Sequence, residues 1–402
     1  MTAPSLLTVG VVLGCAMLGG RLARMARQPA VIGEMLLVIA LGPALLGWLA
    51  PGVEAYLFPQ ALRPSLGVLS QLGVTAFMFL VGLELRFERK GGRDVLGVTV
   101  FSLALPLVLG MLAAWALQDG RGAGPLWAFM LFVGGALAVT AVPVLALILR
   151  DRGLAETPLA NTALAAAAAS DVLAWILLGI VSMSTGGSQT SMAARVAALA
   201  ALAAGLALAR LLLTRCERSG LLDRLHPTTL IGGALVAITA SAVASDAAGL
   251  HTVVGPLLLG ATVPRNARLG EVLEGTLGHV ARAALLPFFF LTAGLAVDVS
   301  SVALSWVTAL LLAVAVMGKL GGALGAVCLT GLSWPEAWRL GVLLNTRGLT
   351  ELVFLAAGLQ LGVIQAPLYT ALVIVTLVTT VATAPLLDWG ESGSRKLVRP
   401  AE

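Results

Sequence analysis

Charged residues are scarce in this sequence: Asp, Glu, Lys and Arg make up only 11% of its 402 residues, while 59% are hydrophobic. Soluble domains carry about 25% charge, and a chain with so little cannot build the polar rind that a water-soluble core needs. Histidine is also rare. His226, His251 and His279 lie far apart, so a metal-ligand spacing is absent. Cys15, Cys216 and Cys328 are odd in number and scattered, which excludes a disulfide framework and a metal cluster alike. No nucleotide-binding glycine loop and no Ser–His or Cys–His pairing is visible, so no cofactor or metal is implied. What the chain has instead is a mean hydropathy of +0.99.

Apolar stretches long enough to cross ~30 Å of hydrocarbon recur throughout. Breaks at charge, Gly and Pro give about thirteen spans, near 4–20, 29–49, 64–85, 95–117, 125–149, 157–183, 191–213, 228–246, 250–264, 279–297, 301–331, 335–361 and 366–388. The expected fold is an all-α polytopic membrane protein embedded in a lipid bilayer. A single transmembrane domain covers 1–388, with a short tail at 389–402. The ninth span is short for a full crossing. The first is no secretory leader, since Arg21, Arg24 and Arg27 follow its apolar run and no A-x-A-like cleavage site appears.

The formal charge of +5 reads as a topology signal. Alternate sorting of the loops puts Arg21, Arg24, Arg27, Arg86, Arg89, Lys90, Arg93, Arg150, Arg152, Arg210, Arg215, Arg218, Arg224, Arg265, Arg268, Arg395, Lys396 and Arg399 on one side. Arg63, Arg121 and Arg195 remain on the other. The positive-inside rule then places the N-terminus outside and the C-terminus in the cytoplasm. Nucleic-acid binding is not needed to explain the charge. The abundance of Ala, Gly and Leu suits a GC-rich bacterium, hence a bacterial inner membrane.

A charge at membrane depth costs at least ~2.5–3.5 kcal/mol, so each is a functional suspect. Asp171 sits in ALAAAAASDVLAWILL, centred in apolar helix, where the alanines at 165–169 permit close helix approach. Burial brings such a carboxylate toward proton competition with a desolvated cation; a structural carboxylate neutralised by Lys319 is the other reading. Lys319 is central too, beside Gly318, Gly321 and Gly322, either as counter-ion or as part of the ion machinery. Arg347 and Glu351 share one helical face and form either a self-contained pair or part of the site. Glu34 and Glu84 lie nearer span ends, and Asp246 and Asp298 fall at solvated termini.

Two apolar segments are interrupted. Pro143 in the Thr140–Pro143 stretch removes a backbone donor, and Asn345, Thr346, Arg347 and Gly348 place polar and glycine residues at mid-membrane. Irregular backbone at that depth is tolerated only where protein buries it or water reaches it. An inverted repeat overlaying spans four to six on spans eleven to thirteen brings these breaks into correspondence, a pattern that marks alternating-access sites. Like half-helix ends that face each other at a crossing need compensation, which Arg347 or Glu351 can supply.

These residues carry a resemblance. QPAVIGEMLLVIALGPALLG, LGVTAFMFLVGLEL, AVTAVPVLALILRDRGL, ASDVLAWILL, LLPFFFLTAGLAVD and LLNTRGLTELVFLAAG cover most of the chain. Together they resemble the monovalent cation:proton antiporter-2 family, which includes plant cation/proton exchangers and bacterial potassium-efflux and sodium/proton antiporters. The resemblance implies a sodium/proton antiporter-like fold of thirteen spans, with a dimer-forming panel, a moving core and two crossed broken helices. It places the family's ion-binding aspartate on Asp171 and its core lysine on Lys319; Ser170 and Thr140 are expected to join Asp171 in binding the ion. Ser170 stands where many members carry Asn or Asp, which favours one titrating carboxylate and electroneutral exchange. The nucleotide-binding tail of the potassium-efflux branch has no counterpart.

The resulting expectation is a secondary antiporter, a homodimer that exchanges protons for sodium or potassium at Asp171. A passive channel lacks its filter motif. An enzyme that reuses the fold on a lipophilic metabolite, with Asp171 or Glu351 as acid or base, is the alternative.

Overall fold

In the computed structural model, the described residues are 3–84, 93–185, 192–264, 267–297, 306–327 and 330–397. Arg86, Arg89, Lys90, Arg265, Asp298, Cys328 and Arg399 lie outside them, as do the side chains of Glu84, Arg93, Arg195, Arg395 and Lys396. The described chain is helical. Its principal helices are α1 (Ala3–Met25), α2 (Ala30–Ile39), α3 (Arg63–Glu84), α4 (Arg93–Ala116), α5 (Leu126–Ala138), α6 (Val142–Asp151), α7 (Pro158–Thr185) and α8 (Met192–Arg218). They continue as α9 (Pro227–Ala247), α10 (Val254–Thr262), α11 (Arg268–Leu295), α12 (Trp306–Ala326), α13 (Trp334–Leu344), α14 (Leu349–Gln360) and α15 (Ala366–Leu397).

Among the described residues, ten helical stretches are long and apolar enough to cross a membrane. The pair α13 and α14, bent by 50° at its break, makes an eleventh. The count therefore falls short of the thirteen expected. The difference lies at 29–49 and 250–264, which fold as the 10-residue α2 and the 9-residue α10. A helix rises 1.5 Å per residue, so each reaches about half the hydrocarbon thickness. Gly42 and Pro43 follow α2, while Gly249, with φ +77°, and Pro264 bracket α10. The shortness of 250–264 was already apparent in the sequence, whereas hydropathy alone does not register the stop after α2.

The chain divides into two compact units. One comprises 1–14, 45–87 and 186–294. Its core joins Phe79, Leu80 and Leu83 of α3 to Ile238 of α9, Leu259 of α10, and Leu269, Leu273 and Leu277 of α11. Ser70 and Thr292 share a hydrogen bond of 2.8 Å, and Gln71 donates to Thr252 at 2.6 Å. Val196, Leu208, Leu211 and Leu212 on α8 stay exposed, as suits a helix bathed in lipid tails.

The other unit comprises 15–44, 88–185 and 295–402. It repeats one sequence of parts: a straight helix, a broken pair and a second straight helix. The first set is α4, α5/α6 and α7; the second is α12, α13/α14 and α15. The two leading helices pack through glycine. A Cβ on Gly318 would sit 2.7 Å from the Pro106 Cβ, and one on Gly322 would sit 2.5 Å from the Phe101 carbonyl oxygen. Small residues of this kind let membrane helices approach closely. Val144, Leu145 and Ile148 of α6 pack against Ala160, Ala163 and Ala167 of α7 and Leu340, Leu343 and Leu344 of α13. Alanine-rich α7 thus carries Asp171 to the place where the two broken pairs meet α7.

Candidate functional site

The first break lies at Val139–Ala141, where the backbone is extended between α5 and α6. Pro143 belongs to the first turn of α6, where its missing N–H costs nothing. Thr140 is the centre of the break. The second break begins at Asn345, which caps α13 with helical angles, and continues through Thr346, Arg347 and Gly348.

A helix end leaves its last carbonyls without intrahelical partners and carries partial negative charge. At the end of α5 these carbonyls meet two cations. Arg347 donates from Nη1 to Ala136 O at 2.8 Å and from Nη2 to Leu137 O at 2.7 Å. Lys319 donates to Ala138 O, and to Thr140 Oγ1 at 2.8 Å. The end of α13 is met by Thr140, whose hydroxyl donates to Leu344 O at 2.6 Å. Ala141 N donates to Thr346 O at 3.1 Å, so the breaks bond to each other directly.

Each break is also held by hydroxyl hydrogen bonding from the straight helix that follows it. Ser170 Oγ accepts from Thr140 N at 3.0 Å and lies 3.4 Å from Thr140 O; its hydrogen goes best to Ala167 O at 2.7 Å. Thr380 Oγ1 accepts from Arg347 N at 3.2 Å and lies 2.9 Å from Arg347 O. Ser170 and Thr380 are thus counterparts in the two sets of helices. The α15 residues Thr376, Thr379, Thr380 and Thr383 are all buried and lie on one face. Nothing in the reading of the sequence singled them out, although their spacing of three, four and seven residues was the available signal.

Asp171 follows Ser170 and is buried, with 1% exposure. Among the described residues, the other charged side chains so deeply enclosed are Lys319 at 1%, Arg347 at 0% and Glu351 at 0%. Arg347 and Glu351 form an ion pair one helical turn apart. Lys319 lies within electrostatic reach of Arg347, Glu351 and Asp171. With both carboxylates ionised, two cations and two anions sum to zero. Phe354 stacks on Phe132 at 4.6 Å and meets Trp175 edge-on at 6.5 Å, which joins α14, α5 and α7 in an apolar floor. Glu34 is partly buried on α2, and Asp246 is exposed. Among the described residues, no His, Cys, Asp and Glu cluster could hold a metal.

The profile of a family described as "Sodium/hydrogen exchanger, transmembrane" matches residues 11–389. The chain is 34% identical over 391 residues to the Na(+)/H(+) antiporter NhaS4 of Synechocystis, covering 94% of each. It is 32% identical to Cation/H(+) antiporter 20 of Arabidopsis thaliana over 89% of this chain, and 31% identical to K(+)/H(+) antiporter 1 of Saccharomyces cerevisiae over 94% of it. It spans about half the length of those two relatives, at 45% and 46%. Its fold is similar to that of the sodium proton antiporter MjNhaP1 of Methanocaldococcus jannaschii, with a TM-score of 0.63, 15% identity and 98% of each chain covered.

Proposed function

The chain belongs to the transmembrane sodium/hydrogen exchanger family, a family of transporters and not of enzymes, and on that premise we propose that Asp171 binds a proton and a sodium or potassium ion in turn. Proton-coupled exchange of monovalent cations is the chemistry that its relatives carry in their names. The lipophilic-metabolite enzyme has no support from them.

The observation that carries the reading is the buried charge quartet. Lys319 and Arg347 are both committed to the carbonyls of α5, and Arg347 is also paired with Glu351. Asp171 is the carboxylate of the four that is not in that ion pair. A proton or a monovalent cation on Asp171 each adds a single positive charge, so the core carries equal charge in either loaded state. That equality favours electroneutral one-for-one exchange. Coupling requires in addition that the core cross only when Asp171 holds one of the two ligands.

Ser170 and Thr140 contribute by holding the break beside Asp171, and Lys319 by fixing the end of α5. The carrier works by alternating access between states that each bind both ligands. The reading extends to a homodimer in a bacterial inner membrane, with the N-terminus outside and the arginine-rich face in the cytoplasm. The support for the orientation is the sorting of the arginines, and for the dimer the family resemblance.

Purified protein in proteoliposomes tests the proposal. With sodium, potassium and lithium supplied in turn at clamped zero potential, at least one should drive a saturable luminal pH change. The rate should be unchanged when a potential is imposed. The absence of any cation-dependent pH change would overturn it.

A further inference from the structure

A second site lies away from Asp171, at the arginine-rich end of the same unit. Arg24, Arg27, Gln28, Asp151 and Arg152 line an open pocket of about 450 Å³. Three arginines against one aspartate give the lining two net positive charges, and Glu34 of α2, within electrostatic reach of Arg24, offsets part of that excess. Gln28 Nε2 donates to Val381 O at 3.2 Å, and Arg152 Nη2 donates to Ala384 O at 3.3 Å, so both walls are fastened to α15.

The depth of the pocket is set by the spans around it. Apolar spans end at Met25 and Asp151, and the lining residues cluster at those two ends. This is the level at which phospholipid headgroups sit. α2, with no side-chain cap, begins two residues after Gln28.

The backbone at Arg27 is a second, independent sign. α1 closes with Gln28 N donating to Ala23 O at 2.9 Å and Arg27 N to Arg24 O at 3.1 Å. This ending puts the residue at Arg27 into the left-handed region, where glycine is the usual occupant. The left-handed residues among those described are Gly153, Gly220, Gly249, Gly362 and Arg27, and Arg27 is the exception. Gly153 ends α6 in the same way, with Leu154 N donating to Leu149 O at 2.8 Å. An arginine held where glycine is less strained points to a task for its side chain.

We propose that this pocket binds the phosphate of an anionic membrane-lipid headgroup, with Arg24, Arg27 and Arg152 as its donors. Guanidinium forks match phosphate oxygens in bidentate geometry, and basic pockets between membrane helices at the arginine-rich face are suited to anionic headgroups. A bound headgroup bridges the α1–α2 turn to the end of α6, which is one half of a broken pair.

The test measures binding to the detergent-purified full-length protein, by lipid titration with native mass spectrometry and thermal melting. Phosphatidylglycerol, phosphatidylcholine and inorganic phosphate are the probes. Phosphatidylglycerol should bind and raise the melting temperature, while phosphatidylcholine should do neither. Arg24→Gln should weaken that binding about tenfold, as expected for the loss of a charge-assisted hydrogen bond. Arg27→Gly should weaken it similarly while raising the melting temperature of the lipid-free protein, because it removes the left-handed strain. Arg210→Gln, an exposed arginine in the other unit, should bind as wild type. Wild-type affinity in both Arg24→Gln and Arg27→Gly would overturn the site. Inorganic phosphate that binds the same arginines as tightly as phosphatidylglycerol would overturn the lipid assignment and leave a soluble phosphate as the ligand.

Discussion

Ser170 ties Thr140 to α7: the serine oxygen accepts the Thr140 N–H at 3.0 Å while its own hydrogen goes to Ala167 O at 2.7 Å. The residue beside Asp171 is thus occupied with the broken backbone. Ser170→Ala should leave a buried N–H at Thr140 without its acceptor, at a cost of about 1–3 kcal/mol. Melting of the purified variant measures that loss. Thr380→Val should show a loss of similar size, because Thr380 holds Arg347 in the same way.

Arg347 and Glu351 are an enclosed ion pair, and Arg347 also bonds two carbonyls at the end of α5. Removal of one partner from such a pair costs about 3–5 kcal/mol, since the other charge stays buried without compensation. Glu351→Gln should therefore be far less stable than wild type in a thermal melt. Whatever protein survives at low temperature should keep the same preference among sodium, potassium and lithium in vesicle exchange.

Gly322 faces the Phe101 carbonyl across the α4–α12 contact, with a built Cβ only 2.5 Å from that oxygen. Gly322→Val should separate the two leading helices and cost about 1–3 kcal/mol through overpacking. Gly331 has open space around it, so Gly331→Ala serves as the control and should melt within a degree of wild type. Both are read by the same melting assay.

Competition at a single carboxylate sets the pH dependence. If a proton and a cation exclude each other at Asp171, the apparent KM for the cation rises as pH falls, approaching ~10-fold per pH unit in the acid limit. The maximal rate at saturating cation should change much less. Initial rates over a matrix of pH and cation concentration check this, and a KM that is flat with pH would argue against shared occupancy.

The parts of this arrangement differ in how far they could be read from the chain. Asp171, Lys319, Arg347 and Glu351 stand out as charges in apolar text, because each carries a cost at membrane depth. The breaks are marked by Pro143 and by Asn345–Gly348, although Pro143 lies in the first turn of α6 and Thr140 centres the gap. The partners of the cations were not legible. Lys319 meets Ala138 and Thr140 across a crossing of helices distant in sequence, which no local spacing encodes. Thr380 was hidden for a different reason. A threonine in an apolar helix can bond back to the preceding turn, as Thr380 does to Thr376 O at 2.6 Å, so its hydroxyl raises no alarm. The short α2 was hidden because an apolar run does not say where its helix stops, whereas the span that holds α10 was already short in the sequence.

The central role given to Asp171 is tested most directly by Asp171→Asn in proteoliposomes loaded with a pH-sensitive dye. The amide matches the carboxylate in size and cannot exchange a proton. It should fold and melt close to wild type, yet show no luminal pH change when sodium or potassium is added. Cation-driven proton exchange at the wild-type rate in that variant would contradict the assignment.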